Sequence, residues 1–169
     1  FIVLFSIVIL GVLFLTNINL KNEYLKIDLE DMYKNYVSVD AAPYSVLSIS
    51  GSNGYPIEIE QNDTNSIKVL RSRLEHFKSV VKNDTLFIEF SGSNVSMQQS
   101  FLSTTPSGIV IHKNKLSAIV SMNTHQRVSG FENDRFNLIL KGNSHLEIRS
   151  SNIQTLSVLT EKNSQIQFL

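Results

Sequence analysis

Hydrophobic and polar positions follow three different rules along the chain. Residues Phe1 to Leu15 (FIVLFSIVILGVLFL) carry no charge, and Lys21 is the first charged side chain. A membrane-crossing helix needs about 20 apolar residues, with a range of about 17–25, so the run predicts a transmembrane signal anchor over residues 1–20. A cleaved signal peptide, with an apolar core of about 7–15 residues, is the second reading. No small-x-small cleavage site follows, however: the next residues are Thr16-Asn17-Ile18-Asn19-Leu20. A buried core helix is the third, and nothing polar marks a second face. The segment Lys21 to Lys34 has three basic and four acidic side chains. Cytoplasmic flanks carry a basic excess, so the chain beyond the anchor is expected outside the cytoplasm.

A connector over residues 21–45 suits either an edge strand or a short helix, since Leu25, Ile27 and Leu29 alternate with charge while Leu25, Leu29, Met32 and Tyr36 have helical spacing. From Val46 the period is two. Leu47 and Ile49, Ile57 and Ile59, Ile67 and Val69, Phe77 with Val80 or Val81, and Leu86, Ile88 and Phe90 alternate with polar residues. Such alternation marks strands with one buried and one wet face. Turn residues separate them at Ser50 to Gly54, Gln61-Asn62-Asp63 and Lys82-Asn83-Asp84. Glu58, Glu60 and Glu89 fall at wet positions and are read as solvated.

The third rule is a repeat. LSAIVSMNTHQRV from Leu116, FNLILKGNSHLEI from Phe136 and LSVLTEKNSQIQF from Leu156 align without gaps at a period of about 20 residues. Leu116, Phe136 and Leu156 make one apolar column, Ala118, Leu138 and Val158 another, and Val128, Ile148 and Phe168 close the unit. Asn123, Asn143 and Asn163 recur in register, each followed by Thr124, Ser144 or Ser164. A unit this short cannot bury its own apolar face, so it has to stack on its neighbours. Stacked at about 4.8 Å, the three asparagines would form a structural ladder of amides. The expected fold is therefore all-β, a β-helix or solenoid with rungs of about 20 residues, preceded by an N-terminal transmembrane helix. A meander of hairpins in a sandwich is the alternative. The expected domains are the anchor at 1–20, the connector at 21–45 and a β-helical head at 46–169. The chain reads as a fragment, truncated at both ends.

Composition narrows the function. Lys+Arg and Asp+Glu are both 15, and a nucleic-acid binder normally carries a basic excess. There is no cysteine, which removes disulfides, thiolate ligands and cysteine nucleophiles. No nucleophile elbow, phosphate-binding glycine loop or His-Glu metal motif is present. Neither catalytic nor metal residues nor a cofactor are expected.

The stretches YSVLSISGSNGYPIEIEQND (44–63) and NDTLFIEF (83–90), with the triplet LSAIVSMNTH, FNLILKGNSH and LSVLTEKNSQ, resemble the auto-transporter adhesin "head GIN" domain family of Bacteroidetes envelope proteins. The resemblance covers about residues 44–169 and implies a β-helical fold and a bacterial envelope location, with no catalytic residues to carry over. Met122 and Lys162 depart from it where Gly142 keeps the small turn residue.

Among candidate side chains, His125, His145 and Gln165 share an outward column, but two histidines without a nearby carboxylate make a poor metal site. Ile119, Ile139 and Leu159 form an apolar column that alternation places outside, an interaction stripe unless residues 93–108 cover it or the corner turns these side chains inward. Glu147, Arg127, Arg149 and Glu161 read as scattered outer charges. Residues 91–107 are serine-rich and read as a loop. Asn62, Asn83 and Asn94 fit the N-glycosylation pattern, and Asp84-Thr85-Leu86 fits a short O-glycosylation signal of Bacteroidetes. Together these predict a membrane-anchored, non-enzymatic envelope protein for adhesion, interaction or scaffolding. Its partners would be the membrane through residues 1–20, protein or glycan on the outer face, and no nucleic acid. A glycan-binding β-helix is the alternative.

Overall fold

The structure, a computed structural model, describes residues 11, 15–21, 31–51, 55–90 and 106–169. They fall into two compact units, 1–35 and 36–169. In the first, residues 11 and 15–21 are helical, and the turn at 32–35 follows Asp31, whose carbonyl accepts from the Lys34 N–H at 3.4 Å and whose Oδ1 accepts from the Tyr33 N–H at 2.8 Å. Among the described residues no helix is long and apolar enough to cross a membrane. In 15–21 the polar residues Thr16, Asn17, Asn19 and Lys21 break up the three apolar ones. The expected transmembrane helix, and with it the single-pass membrane protein, is corrected accordingly. The rest of the apolar run, 1–10 and 12–14, lies outside the described residues.

The second unit is built of strands. In chain order these are β1 (Tyr36–Val39), β2 (Val46–Ser50), β3 (Ile57–Gln61), β4 (Ser66–Leu70), β5 (Phe77–Lys82), β6 (Thr85–Phe90) and β7 (Ile109–Lys113). Then follow β8 (Ala118–Met122), β9 (His125–Ser129), β10 (Glu132–Lys141), β11 (His145–Arg149), β12 (Asn152–Thr160) and β13 (Gln165–Phe168). A 3-10 helix at Arg71–His76 joins β4 to β5. The alternation read from the sequence is the alternation of burial: Leu47, Ile49, Ile57, Ile59, Ile67, Val69, Leu86, Ile88 and Phe90 are all buried, and so, in β7, are Ile109 and Ile111. At the ambiguous pair in β5, Val81 packs on the core and Val80 faces out. Asn83 and Asp84, with φ of 48° and 62°, make the two-residue turn between β5 and β6. Left-handed residues at both positions match the twist of a hairpin, and Asn and Asp tolerate them.

Two mixed sheets result. One has seven strands in the order β1-β4-β7-β3-β9-β11-β13, the other six in the order β12-β10-β8-β2-β6-β5. Residues of both sheets meet in one core cluster, from Leu47 and Ile57 to Leu138, Leu140 and Leu146. From β6 onward the chain alternates between the sheets, but only within β8 to β13 does each strand pair parallel with the one two places on, with Ile148 beside Phe168 and Phe136 beside Leu156 at a separation of 20 residues. Towards the N-terminus that regularity ends. Strand β2 is inserted between β8 and β6, and β1–β4, β4–β7 and β5–β6 pair antiparallel. This overturns the β-helix or solenoid over 46–169: the period belongs to the last three units, and the earlier strands form hairpin-type and out-of-order pairings. The compact unit begins at Tyr36, inside the segment read as connector, because β1 pairs with β4. Of residues 91–107, read as a loop, 91–105 lie outside the described residues.

Candidate functional site

The repeat corners set the register of everything on the sheet faces. Three residues, Gly142, Asn143 and Ser144, join β10 to β11, but only Asn123 and Thr124 join β8 to β9. Each corner needs one left-handed residue: Asn123 (φ 55°), Gly142 (69°) and Lys162 (58°). Asn123 therefore fills Gly142's place in the backbone while its side chain serves the neighbouring corner. Its Oδ1 accepts from the Asn143 N–H at 3.1 Å, and Asn143 Oδ1 accepts from Asn163 Nδ2 at 3.2 Å. Ser144 and Ser164 donate to the Lys141 and Glu161 carbonyls at 2.7 and 2.9 Å. The missing residue shifts the pairing by one on the six-stranded side only. Leu138 lies beside Ile119, whereas His145 still lies beside His125.

That shift decides where the apolar stripe runs. Ile119 is fully buried, in the inner column with Leu138, while Ile139 and Leu159 pair side by side facing out. A one-residue slip moves a side chain to the opposite face, so Val120 takes the outward place that alignment assigned to Ile119. The outer row then crosses the whole sheet as Leu159, Ile139, Val120, Ser48, Phe87 and Val80. Leu159 is 53% exposed, Phe87 43% and Val80 49%. Six strands at about 4.8 Å make the row about 24 Å long. One flanking row carries charge of both signs, with Lys78 opposite Glu89 at one end and Lys141 bridged to Glu161 at 3.4 Å at the other.

The seven-stranded sheet presents a different outer face. His125 and His145 stand side by side on β9 and β11, ring centroids 4.9 Å apart. Two residues on along β11, and so on the same face, Glu147 turns Oε1 towards both: 3.4 Å to His125 Nε2 and 3.7 Å to His145 Nε2. Its Oε2 meets Arg149 Nη2 at 2.5 Å and Arg127 Nε at 3.7 Å. The charges that read as scattered, Glu147, Arg127 and Arg149, converge here; Glu161 alone lies elsewhere, on Lys141. The carboxylate missing from the sequence reading is Glu147. Register would have found it, since pairing His125 with His145 places Arg127 beside Glu147 and aligns both pairs on one face.

Burial lowers the pKa of His125, helped by the His145 charge, against the pull of Glu147. Burial alone would raise Glu147, but the Arg149 guanidinium, by charge and hydrogen bond, then Arg127 and His125, bring it below the usual carboxylate range. At neutral pH the pair is thus a neutral imidazole beside a carboxylate. Farther along the same sheet, His112 Nε2 lies 3.3 Å from Glu60 and its Nδ1 3.1 Å from Ser66 Oγ. Glu58 accepts from Ser107 Oγ at 2.9 Å. Asn62 and Asn83 both sit in exposed turns, and Asn62 Oδ1 accepts from the Thr64 N–H at 3.1 Å. Asn94 lies outside the described residues. A groove of about 220 Å³ lies between the Ser38–Tyr44 segment and Asn65, Ser66, Ile67 and Lys113. Sites for small molecules run to about 300–1,000 Å³, so it is undersized for a substrate cleft.

No family model matches the chain, and no curated protein matches it. Solved structures do. A "putative adhesin" from Bacteroides fragilis superposes with a TM-score of 0.58 at 15% identity, over 78% of this chain and 60% of its own. A "putative adhesin" from Parabacteroides distasonis gives 0.46 at 14% identity, covering 79% and 63%. A "putative lipid binding protein" from the same species gives 0.45 at 14%, covering 78% and 58%. The chain spans about 60% of the length of the first of these. At such identities the likeness concerns the fold: this chain shares its β-architecture with the Bacteroides fragilis protein.

Proposed function

We propose that the protein is a non-catalytic binding protein that meets a protein partner through the outer face of its six-stranded sheet. The observation that carries this reading is the outer row from Leu159 to Val80, apolar on every strand except at Ser48, exposed at both ends and flanked on one side by Lys78, Glu89, Lys141 and Glu161. An apolar centre with a charged rim is how protein interfaces are laid out. Phe87 is the one aromatic side chain in the row, which favours a protein over a sugar, whose rings stack on aromatic platforms. The name of the Bacteroides fragilis structure agrees with a contact role. Within the same reading, Asn123, Asn143 and Asn163 are a structural ladder that fixes the corners, and the stripe is Val120, Ile139 and Leu159.

The test immobilises the full chain and screens proteins and glycans for binding, with Ile139→Lys and Phe87→Ser beside the wild type. A saturable protein ligand should be retained by the wild type and lost by at least about tenfold in both variants, since central interface residues carry about 2 kcal/mol or more. Binding confined to glycans, or indifferent to both substitutions, rules out the surface. Turnover of any bound ligand rules out the non-catalytic role.

A further inference from the structure

We propose that His125, His145 and Glu147 form a zinc site on the outer face of the seven-stranded sheet. One ligand atom from each, a ring nitrogen of either histidine and a carboxylate oxygen, lie within 4.8 Å of one another. Zinc holds histidine nitrogen at about 2.0–2.1 Å and carboxylate oxygen at about 2.0–2.2 Å in a tetrahedron, which sets neighbouring ligand atoms about 3.3–3.5 Å apart. The two nitrogen-to-oxygen distances, 3.4 and 3.7 Å, already meet or approach that edge. Closing the set requires the imidazoles, now tilted at 45°, to converge by about 1.4 Å at most. Two histidines and one carboxylate from the protein, with water in the fourth position, is an established zinc donor set. His145 is 31% exposed on its side chain, so the fourth position faces solvent.

The surroundings fit a ligand carboxylate that is held in place. Arg149 and Arg127 both engage Oε2 and leave Oε1 to the histidine side. Such outer-shell partners orient ligands in metal sites. Their positive charge also lowers affinity for a cation, so the site is expected to be weaker than a closed structural one. Zinc here would tie β9 to β11 across two units of the repeat. The six-stranded face takes no part, and neither proposal depends on the other.

The test titrates the full chain with zinc and, separately, with cobalt(II), whose visible absorption is intense in tetrahedral and weak in octahedral coordination. One equivalent should bind, with the tetrahedral cobalt spectrum and a rise in melting temperature that magnesium does not produce. His145→Gln and Glu147→Gln should each weaken binding by more than the roughly 10–100-fold lost with an outer-shell partner. His112→Gln should leave it unchanged. No saturable binding of either metal to the wild type overturns the site, and that result needs no variant to fold. Binding that survives His145→Gln, or disappears with His112→Gln, overturns it as well.

Discussion

Gly142, Lys162 and Asn123 solve one problem in three ways, and the differences are measurable. All three have positive φ, a region that costs an ordinary L-residue about 1–2 kcal/mol and glycine almost nothing. A Cβ on Gly142 would also come within 2.2 Å of Asn123 Oδ1, the atom that accepts from Asn143. Gly142→Ala should therefore destabilise by about 2 kcal/mol or more, through strain and a broken ladder together. Lys162 is exposed and carries only the strain, so Lys162→Gly should stabilise by about 0.5–1 kcal/mol. Chemical denaturation of the two variants checks both signs at once. Gln126 poses the opposite problem. It points into the core beside Leu146 and Ile57, fully buried, and neither amide atom has a hydrogen-bond partner among the described residues. A buried unpaired polar group costs about 1–3 kcal/mol, so Gln126→Leu, of similar volume, should raise the unfolding midpoint. A lower midpoint would mean that the amide is satisfied and holds the strand in place.

At the scale of the strand pair, β9 and β11 make stability depend on pH through His125 and Glu147. Both groups have folded pKa values below their ordinary ones, 6.5 and 4.5. The unfolded chain then binds more protons as pH falls, so stability is full above those values and is lost on acidification. The first loss begins near the ordinary histidine value, the second below the ordinary carboxylate value. Unfolding free energy measured at about pH 7.5 and about pH 5.5 should drop more in the wild type than in His125→Gln. An equal drop would place the sensitivity elsewhere. The same pair shows what the sequence could disclose. The 20-residue period was legible because Asn123, Asn143 and Asn163 recur, and on the seven-stranded side it is the true register. On the other side Asn123 does the work of two residues, and a gapless alignment cannot reveal a corner shortened by one. Ile119 was assigned outward for that reason. Glu147 was missed for a related one: its partners lie in different units, and only cross-strand pairing brings them together.

For the molecule as a whole, the order of strands matters more than their number. In a linear stack each unit touches only its neighbours, and stability is a sum of local terms. Here β2 lies between β8 and β6, and β3 between β9 and β7, so strands from the first half are built into the sheets of the repeat. No local pattern encodes such an insertion, because period-two alternation is the same whichever strand lies alongside. The consequence is cooperative unfolding across both halves. All five tyrosines lie at or before Tyr55, and there is no tryptophan, so tyrosine fluorescence reports on the first part of the chain alone. Phe136, fully buried with its ring 5.2 Å from Phe131, sits in the middle unit of the repeat. Phe136→Ala should cost about 3–5 kcal/mol. If the halves unfold together, the fluorescence midpoint in urea should fall as far as the midpoint of the strand signal in circular dichroism, and the two curves should coincide. If the repeat is a separate unit, the dichroism will move and the tyrosine curve will stay. A shared shift is the expected result, because the core residues of the two halves belong to one cluster.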